Sequence, residues 1–199
     1  MYAASHFREE RPEVLVAAAR EIGFALLVTP DLQASHLPIF VSEEESGLVL
    51  EAHVARPNPL WRAEGPAMAV FQGPQAYVSP GWYPTKIEHG KAVPTWNYAV
   101  VHFHGQLEAI DDESWLLGHL DRLSRANEAF RPEPWTIHEA PEGYIEGLTK
   151  AIVGLRLKVE RMEGSWKMSQ NQPEANRQGV IEGLAERAPD VAALVKNRP

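Results

Sequence analysis

The chain has 199 residues and a formal charge of −8, from 19 Lys and Arg against 27 Asp and Glu. It has the size of one ordinary domain, and it lacks the chain-wide basic charge of a groove for nucleic-acid phosphates. The absence of Cys excludes disulfides, thiolate metal sites, iron–sulfur clusters and cysteine nucleophiles. An apolar share of 44% suffices for a packed core. No apolar run approaches the roughly 20 residues that span a bilayer, and the first residues carry no leader pattern, so a cytoplasmic location and no membrane partner are expected.

Pro12 followed by Val14, Leu15, Ala18, Ala19 and Ile22 predicts a helix ended by Gly23. Segments 24–29, 32–41 and 47–54 are short and rich in Val, Leu, Phe and Thr, and read as antiparallel strands separated by Pro30-Asp31 and an acidic stretch at 42–47. Asn58 and Pro59 predict the start of a short helix that stops at Gly65-Pro66. Strand character returns over 67–72 and 75–78, and 93–110 is the longest strand-like stretch, bending near Gly105. A helix is predicted over 111–130, capped by Asp111 or Asp112, with Trp115, Leu116, His119, Leu120 and Leu123 as one stripe. A short helix at 144–149, a closing strand at 152–162 and a broken helical tail at 179–196 follow, all within a single domain spanning 1–199.

Six or seven strands with short connections predict a mainly β fold with helices, a small barrel before a sandwich. Parallel βα architecture is disfavoured because parallel pairs need long crossovers, so no Rossmann nucleotide site is expected.

His102-Phe103-His104 places two imidazoles on one face of a strand, yet a zinc site needs three or four protein ligands and no further ligand stands at a recognisable spacing, so no metal is expected. The familiar hydrolase, metalloprotease and phosphate-loop motifs are absent, and no catalytic acid or base stands out. A stronger signal is the mixture of cations, amides and aromatics in His53-Val54-Ala55-Arg56-Pro57-Asn58-Pro59-Leu60-Trp61, in Trp82-Tyr83-Pro84-Thr85-Lys86 and in Val93-Pro94-Thr95-Trp96-Asn97-Tyr98. Arg56 beside the Asn58 cap suits a phosphate, and aromatic surfaces suit a ring; the competing reading is a proline-cornered core in which Arg56 makes a salt bridge.

These stretches, with His36-Leu37-Pro38, 71–83, Ile152-Val153-Gly154 and Trp166-Lys167-Met168-Ser169-Gln170-Asn171, resemble in order the PaiB-like family of FMN-binding negative transcriptional regulators. The resemblance runs from Met1-Tyr2 to Gly183, with Pro57-Asn58-Pro59 where the family more often has Ala-Asn-Pro. It implies a split β-barrel related to pyridoxamine-phosphate oxidases, a homodimer, and FMN at the subunit interface. Residue by residue, it implies FMN contacts from His36, Leu37, Pro38, His53, Val54, Ala55, Arg56 and Asn58. Trp96, Asn97, Lys167, Ser169 and Gln170 are implied for the flavin or the partner's half of the site. The function implied is regulation rather than dedicated enzymology, with a small flavin-dependent oxidoreductase or flavin reductase as the alternative.

DNA as a partner follows from the family alone. Residues 150–177 carry six basic side chains against three acidic, but 108–146 carry ten acidic against three basic. The charge does not support a DNA grip by this chain.

Overall fold

A computed structural model describes residues 1–45 and 47–197; Ser46, inside the predicted acidic turn, and the last two residues of the chain lie outside the described residues. The elements are β1 (Arg8–Glu9), α1 (Pro12–Ile22), β2 (Phe24–Val28), β3 (Ala34–Pro38), β4 (Phe40–Glu44), β5 (Gly47–Ala55), β6 (Gly65–Val78), α2 (Lys86–His89), β7 (Thr95–Ile110), α3 (Glu113–Glu128), α4 (Tyr144–Thr149), β8 (Ile152–Lys167), α5 (Glu174–Leu184) and α6 (Pro189–Lys196). One eight-stranded sheet has the order β3-β2-β6-β7-β8-β5-β4, with β1 added on β8. The pairings β1–β8, β2–β3, β2–β6, β4–β5 and β5–β8 are antiparallel.

The chain groups into two compact units. The first comprises 1–18, 72–102 and 163–199, and the second 19–71 and 103–162. In the second, Leu27, Leu50, Leu107, Leu155 and Leu157 form a buried core with Phe71 and Phe103, whose rings meet edge to face at 5.5 Å. Each such side chain contributes roughly 1.5–3 kcal/mol on burial. In the first, Leu15, Val78, Trp166, Val180, Leu184 and Val191 are buried. Gly164 is glycine there for a packing reason: a Cβ would stand 2.3 Å from Leu15 Cδ2.

Alternation made the long strands legible. Along β7, Asn97, Ala99, Val101, Phe103 and Leu107 are buried while the intervening positions are more exposed, as a half-buried strand requires. The structure differs from the sequence reading in several places. The predicted strand 32–41 is two strands, because β3 pairs with β2 and β4 with β5; the change of partner follows the buried Ile39, whose amide still donates to the Gly23 carbonyl at 2.8 Å. The two predicted strands at 67–78 are one, with Gly73 and Pro74 carried inside β6. The closing strand runs to Lys167 instead of 162 and pairs with β1 there. The turn after Asn58 is a four-residue 3-10 helix, Pro59–Arg62, capped by the Asn58 side chain on the Leu60 amide. Asp112 is the α3 cap, accepting from the Trp115 amide at 2.7 Å. The tail is two helices, α5 and α6, the first starting at Glu174.

Candidate functional site

The residues singled out from sequence fall into two clusters, one in each unit.

In the second unit, β3 carries His36, Leu37 and Pro38. His36 is exposed and stacks on Phe24 with centroids 6.3 Å apart, while Leu37 turns into the core. At the end of β5, Val54 is buried and Ala55 exposed. Arg56 spends its guanidinium on the protein itself. It donates to both Asp111 oxygens at 2.6 and 2.9 Å, to the Lys150 carbonyl at 3.0 Å and to the Ile152 carbonyl at 3.1 Å. Four of its five N–H donors are thereby engaged. Asn58 accepts from the Leu60 amide and donates to Ser35 Oγ, both at 3.0 Å. The salt-bridge reading of Arg56 is thus realised, and the single 3-10 turn after Asn58 offers little dipole to an anion.

The sequence reading missed the buried partner of His53. Two residues earlier on the same face of β5, Glu51 is buried, and α3 brings His119 and Arg122 onto it. His53 Nδ1 lies 3.1 Å from His119 Nε2, His119 Nδ1 lies 3.4 Å from Glu51 Oε2, and Arg122 donates to the same carboxylate at 2.7 Å. Trp115 stacks on His119 at 5.2 Å and 9°, resting in the space left by Gly154, where a Cβ would meet its ring at 2.3 Å. Burial, with a smaller contribution from His119, lowers the His53 imidazole to about 4. Burial alone would raise the Glu51 carboxyl, but the His119 ring at 3.4 Å and the hydrogen bond from Arg122 outweigh it and hold it below its ordinary value.

In the first unit, Asn97, Lys167 and Ser169 come together in a cavity of about 380 Å³, within the size range of small-ligand pockets. Thr95 and Asn97 project from the same face of β7. Lys167 ends β8 and donates to Thr95 Oγ1. Burial lowers its ammonium from the ordinary lysine value. Asn97, fully buried, lies within 3.0–3.1 Å of the Ser169 hydroxyl. Ser169 adopts φ 58°, an uncommon left-handed conformation for a residue other than glycine. From the opposite wall, α5 supplies Asn176, whose Oδ1 accepts from Thr85 Oγ1 at 3.0 Å and whose Nδ2 donates to Gln172 at 3.1 Å.

Two of the residues named from sequence stand outside this lining. Trp96, 53% exposed, points to the other face of β7 and meets Tyr77 edge to face at 6.1 Å. Gln170 works as a clamp, accepting from the Met168 amide at 2.7 Å and donating to the His6 carbonyl at 3.0 Å. Thr85, Thr95 and Asn171 were visible as the polar members of motifs already quoted. Gln172 and Asn176 carried no signal, since only the turn into α5 brings them to the cavity.

The donor set fits FMN. An ammonium suits the phosphate, neutral hydroxyls and amides suit the ribityl chain and the pyrimidine edge, and Tyr83 and Val93 add apolar wall.

Fold and site describe a mainly β protein equipped to hold a polar ligand with an anionic end. Residues 1–161 match the family described as "Putative FMN-binding domain", and the chain belongs to that FMN-binding family. It is 31% identical over 190 aligned residues to the protease synthase and sporulation protein PAI 2 of Bacillus subtilis, covering 92% of this chain and 89% of that protein. It is 34% identical over 218 aligned positions to a protein of Aspergillus fumigatus, covering 85% of this chain and 84% of the other. Its fold is similar to that of the flavocytochrome Anf3 of Azotobacter vinelandii, with TM-score 0.57 and 12% identity over 83% of this chain and 72% of that one. The fold class is the split barrel that the sequence resemblance implies. Among the described residues, no helix is long and apolar enough to cross a membrane.

Proposed function

We propose that the protein binds FMN as a homodimer and acts, in the manner of PaiB-type regulators, by coupling flavin occupancy to the state of that dimer. The observation that carries the reading is the cavity of the first unit, which gathers Asn97, Lys167 and Ser169 from two separate sequence motifs around one polar space. Lys167 faces the FMN phosphate in this reading, because the Arg56 guanidinium is already committed to Asp111 and two carbonyls. Thr95, Asn97 and Ser169 orient the flavin, which supplies any electron transfer itself. The PAI 2 likeness and membership of the FMN-binding family support the assignment. The exposed Trp96 and Tyr77 on the outer face of β7 and β6 offer apolar surface to a second copy. Direct DNA contact forms no part of the proposal, in keeping with the net charge of −8.

The test is the visible spectrum and molar mass of the purified protein after incubation with FMN and removal of free flavin. Retained flavin bands near one per chain, on a species of twice the monomer mass, support the reading. A colourless monomer overturns it.

A further inference from the structure

We propose that α5 and α6 read out the cavity of the first unit: a ligand that spans its two walls fastens α5 in place through Asn176, and without that ligand α5 and α6 undock together far more often. The cavity is built from two stretches of chain. Thr85, Thr95 and Asn97 stand on one wall, and Lys167, Ser169 and Asn176 on the other. The second wall runs straight into α5, whose first turn carries Asn176. Asn176 is buried. Its amide oxygen accepts from the Thr85 hydroxyl at 3.0 Å, joining one wall to the other, while its amide nitrogen donates to Gln172 at 3.1 Å. A ligand in this space touches both walls, so it binds the arrangement in which α5 is docked.

Alone, α5 is a poor helix. It has 11 residues, no side-chain cap at Pro173, and glycines at 179 and 183. Helices of this length are marginal in water, and glycine is the least favourable interior residue after proline. The glycines are there for packing. A Cβ at 179 would stand 2.0 Å from the Trp82 carbonyl oxygen, and one at 183 would stand 2.4 Å from the Trp82 ring. Close docking on Trp82 therefore supplies what the sequence of α5 lacks. Trp82 lies three residues before Thr85, so the contact that holds α5 and the wall that receives the ligand are one stretch of chain. α6 follows α5: Arg177 donates to the Val195 carbonyl at 3.1 Å, and Val180, Leu184, Val191 and Val195 are all buried. Elements of this marginal kind are the ones whose opening a ligand controls. When only the docked form binds, a ligand at about a hundred times its Kd lowers the opening constant of α5 roughly hundredfold. That the ligand is FMN rests on the reading above; the link from cavity to α5 rests on the geometry.

Hydrogen–deuterium exchange of the full-length protein, with and without saturating FMN, tests the coupling on peptides covering α5 and α6, while flavin fluorescence in the same samples reports binding. The expected result is bound FMN and exchange over α5 and α6 slowed by about tenfold or more, with α3 peptides slowed less. Bound FMN with unchanged exchange over α5 and α6, or with equal slowing over α3, overturns the coupling and leaves the FMN reading standing. No bound FMN overturns the FMN reading and the coupling to it. Gly179→Ala, at a position outside the cavity lining, should exchange faster over α5 and α6 without ligand and bind FMN about tenfold more weakly, the effect of a docked fraction of about one in ten. Fast exchange in that variant together with wild-type FMN affinity overturns the coupling.

Discussion

Arg56 and Asp111 hold each other through two parallel N–H···O bonds of 2.6 and 2.9 Å, tying the end of β5 to the residue just before the α3 cap. The pair is exposed, so its effect is on local order more than on global stability. Arg56→Ala and Asp111→Ala should each lower the urea midpoint slightly, and the double variant should lower it by less than the sum of the two singles, because both remove the shared contact. The Arg56 hydrogen bond, against a smaller opposing effect of burial, holds the Asp111 carboxyl below its ordinary 3.8. Its contribution is therefore present above that value and lost as pH falls through the lowered one. FMN affinity of Arg56→Ala should match wild type, checked by flavin fluorescence titration.

Gly154 and Trp115 set how α3 lies on the sheet. A Cβ at 154 would stand 2.3 Å from the Trp115 ring, so Gly154→Ala should destabilise the protein by about 1–3 kcal/mol, the usual cost of overpacking. In urea unfolding the midpoint should drop with the slope unchanged. A midpoint equal to wild type would mean that the ring moves freely.

The stability of the second unit should depend on pH through His53. Its folded value of about 4 lies below the ordinary imidazole value of 6.5 because burial disfavours the cation. The unfolded chain therefore binds more protons between these values, and stability is full above about 6.5 and falls as pH drops toward 4. Partial exposure of the ring reduces the loss to on the order of 1–3 kcal/mol. Glu51, held low by His119 and Arg122, adds a further loss in more acid solution as it is protonated. Urea unfolding from pH 7 to 4 should show a slope that flattens in His53→Gln; an equal slope in the variant would assign the effect elsewhere.

Much of this architecture was legible because it is local. Alternation over 97–107 announces β7, and the Asn58 and Asp112 caps are read from residue type and spacing. The β8 extension was hidden because Glu163 and Gly164 break the apolar pattern, while Gly164 and Ser165 are held by pairing with β1. The candidate cavity was half visible: Thr95, Asn97, Lys167 and Ser169 stand in readable motifs, whereas Asn176 arrives only through the packing of α5. His53 and His119 are 66 residues apart, one on a strand and one on a helix, and no spacing rule connects them. His119 read as a member of an apolar stripe, which is also where it stands, with a carboxylate underneath.

Lys167 bears the central claim, and a paired titration tests it. Wild-type protein and Lys167→Ala are each titrated with FMN and with riboflavin, which lacks the phosphate, at two salt concentrations. The account expects wild type to prefer FMN over riboflavin, and Lys167→Ala to lose about tenfold or more in FMN affinity while binding riboflavin as before, since a charge-assisted hydrogen bond contributes about 1.5–3 kcal/mol. Equal FMN affinity in wild type and Lys167→Ala would contradict it.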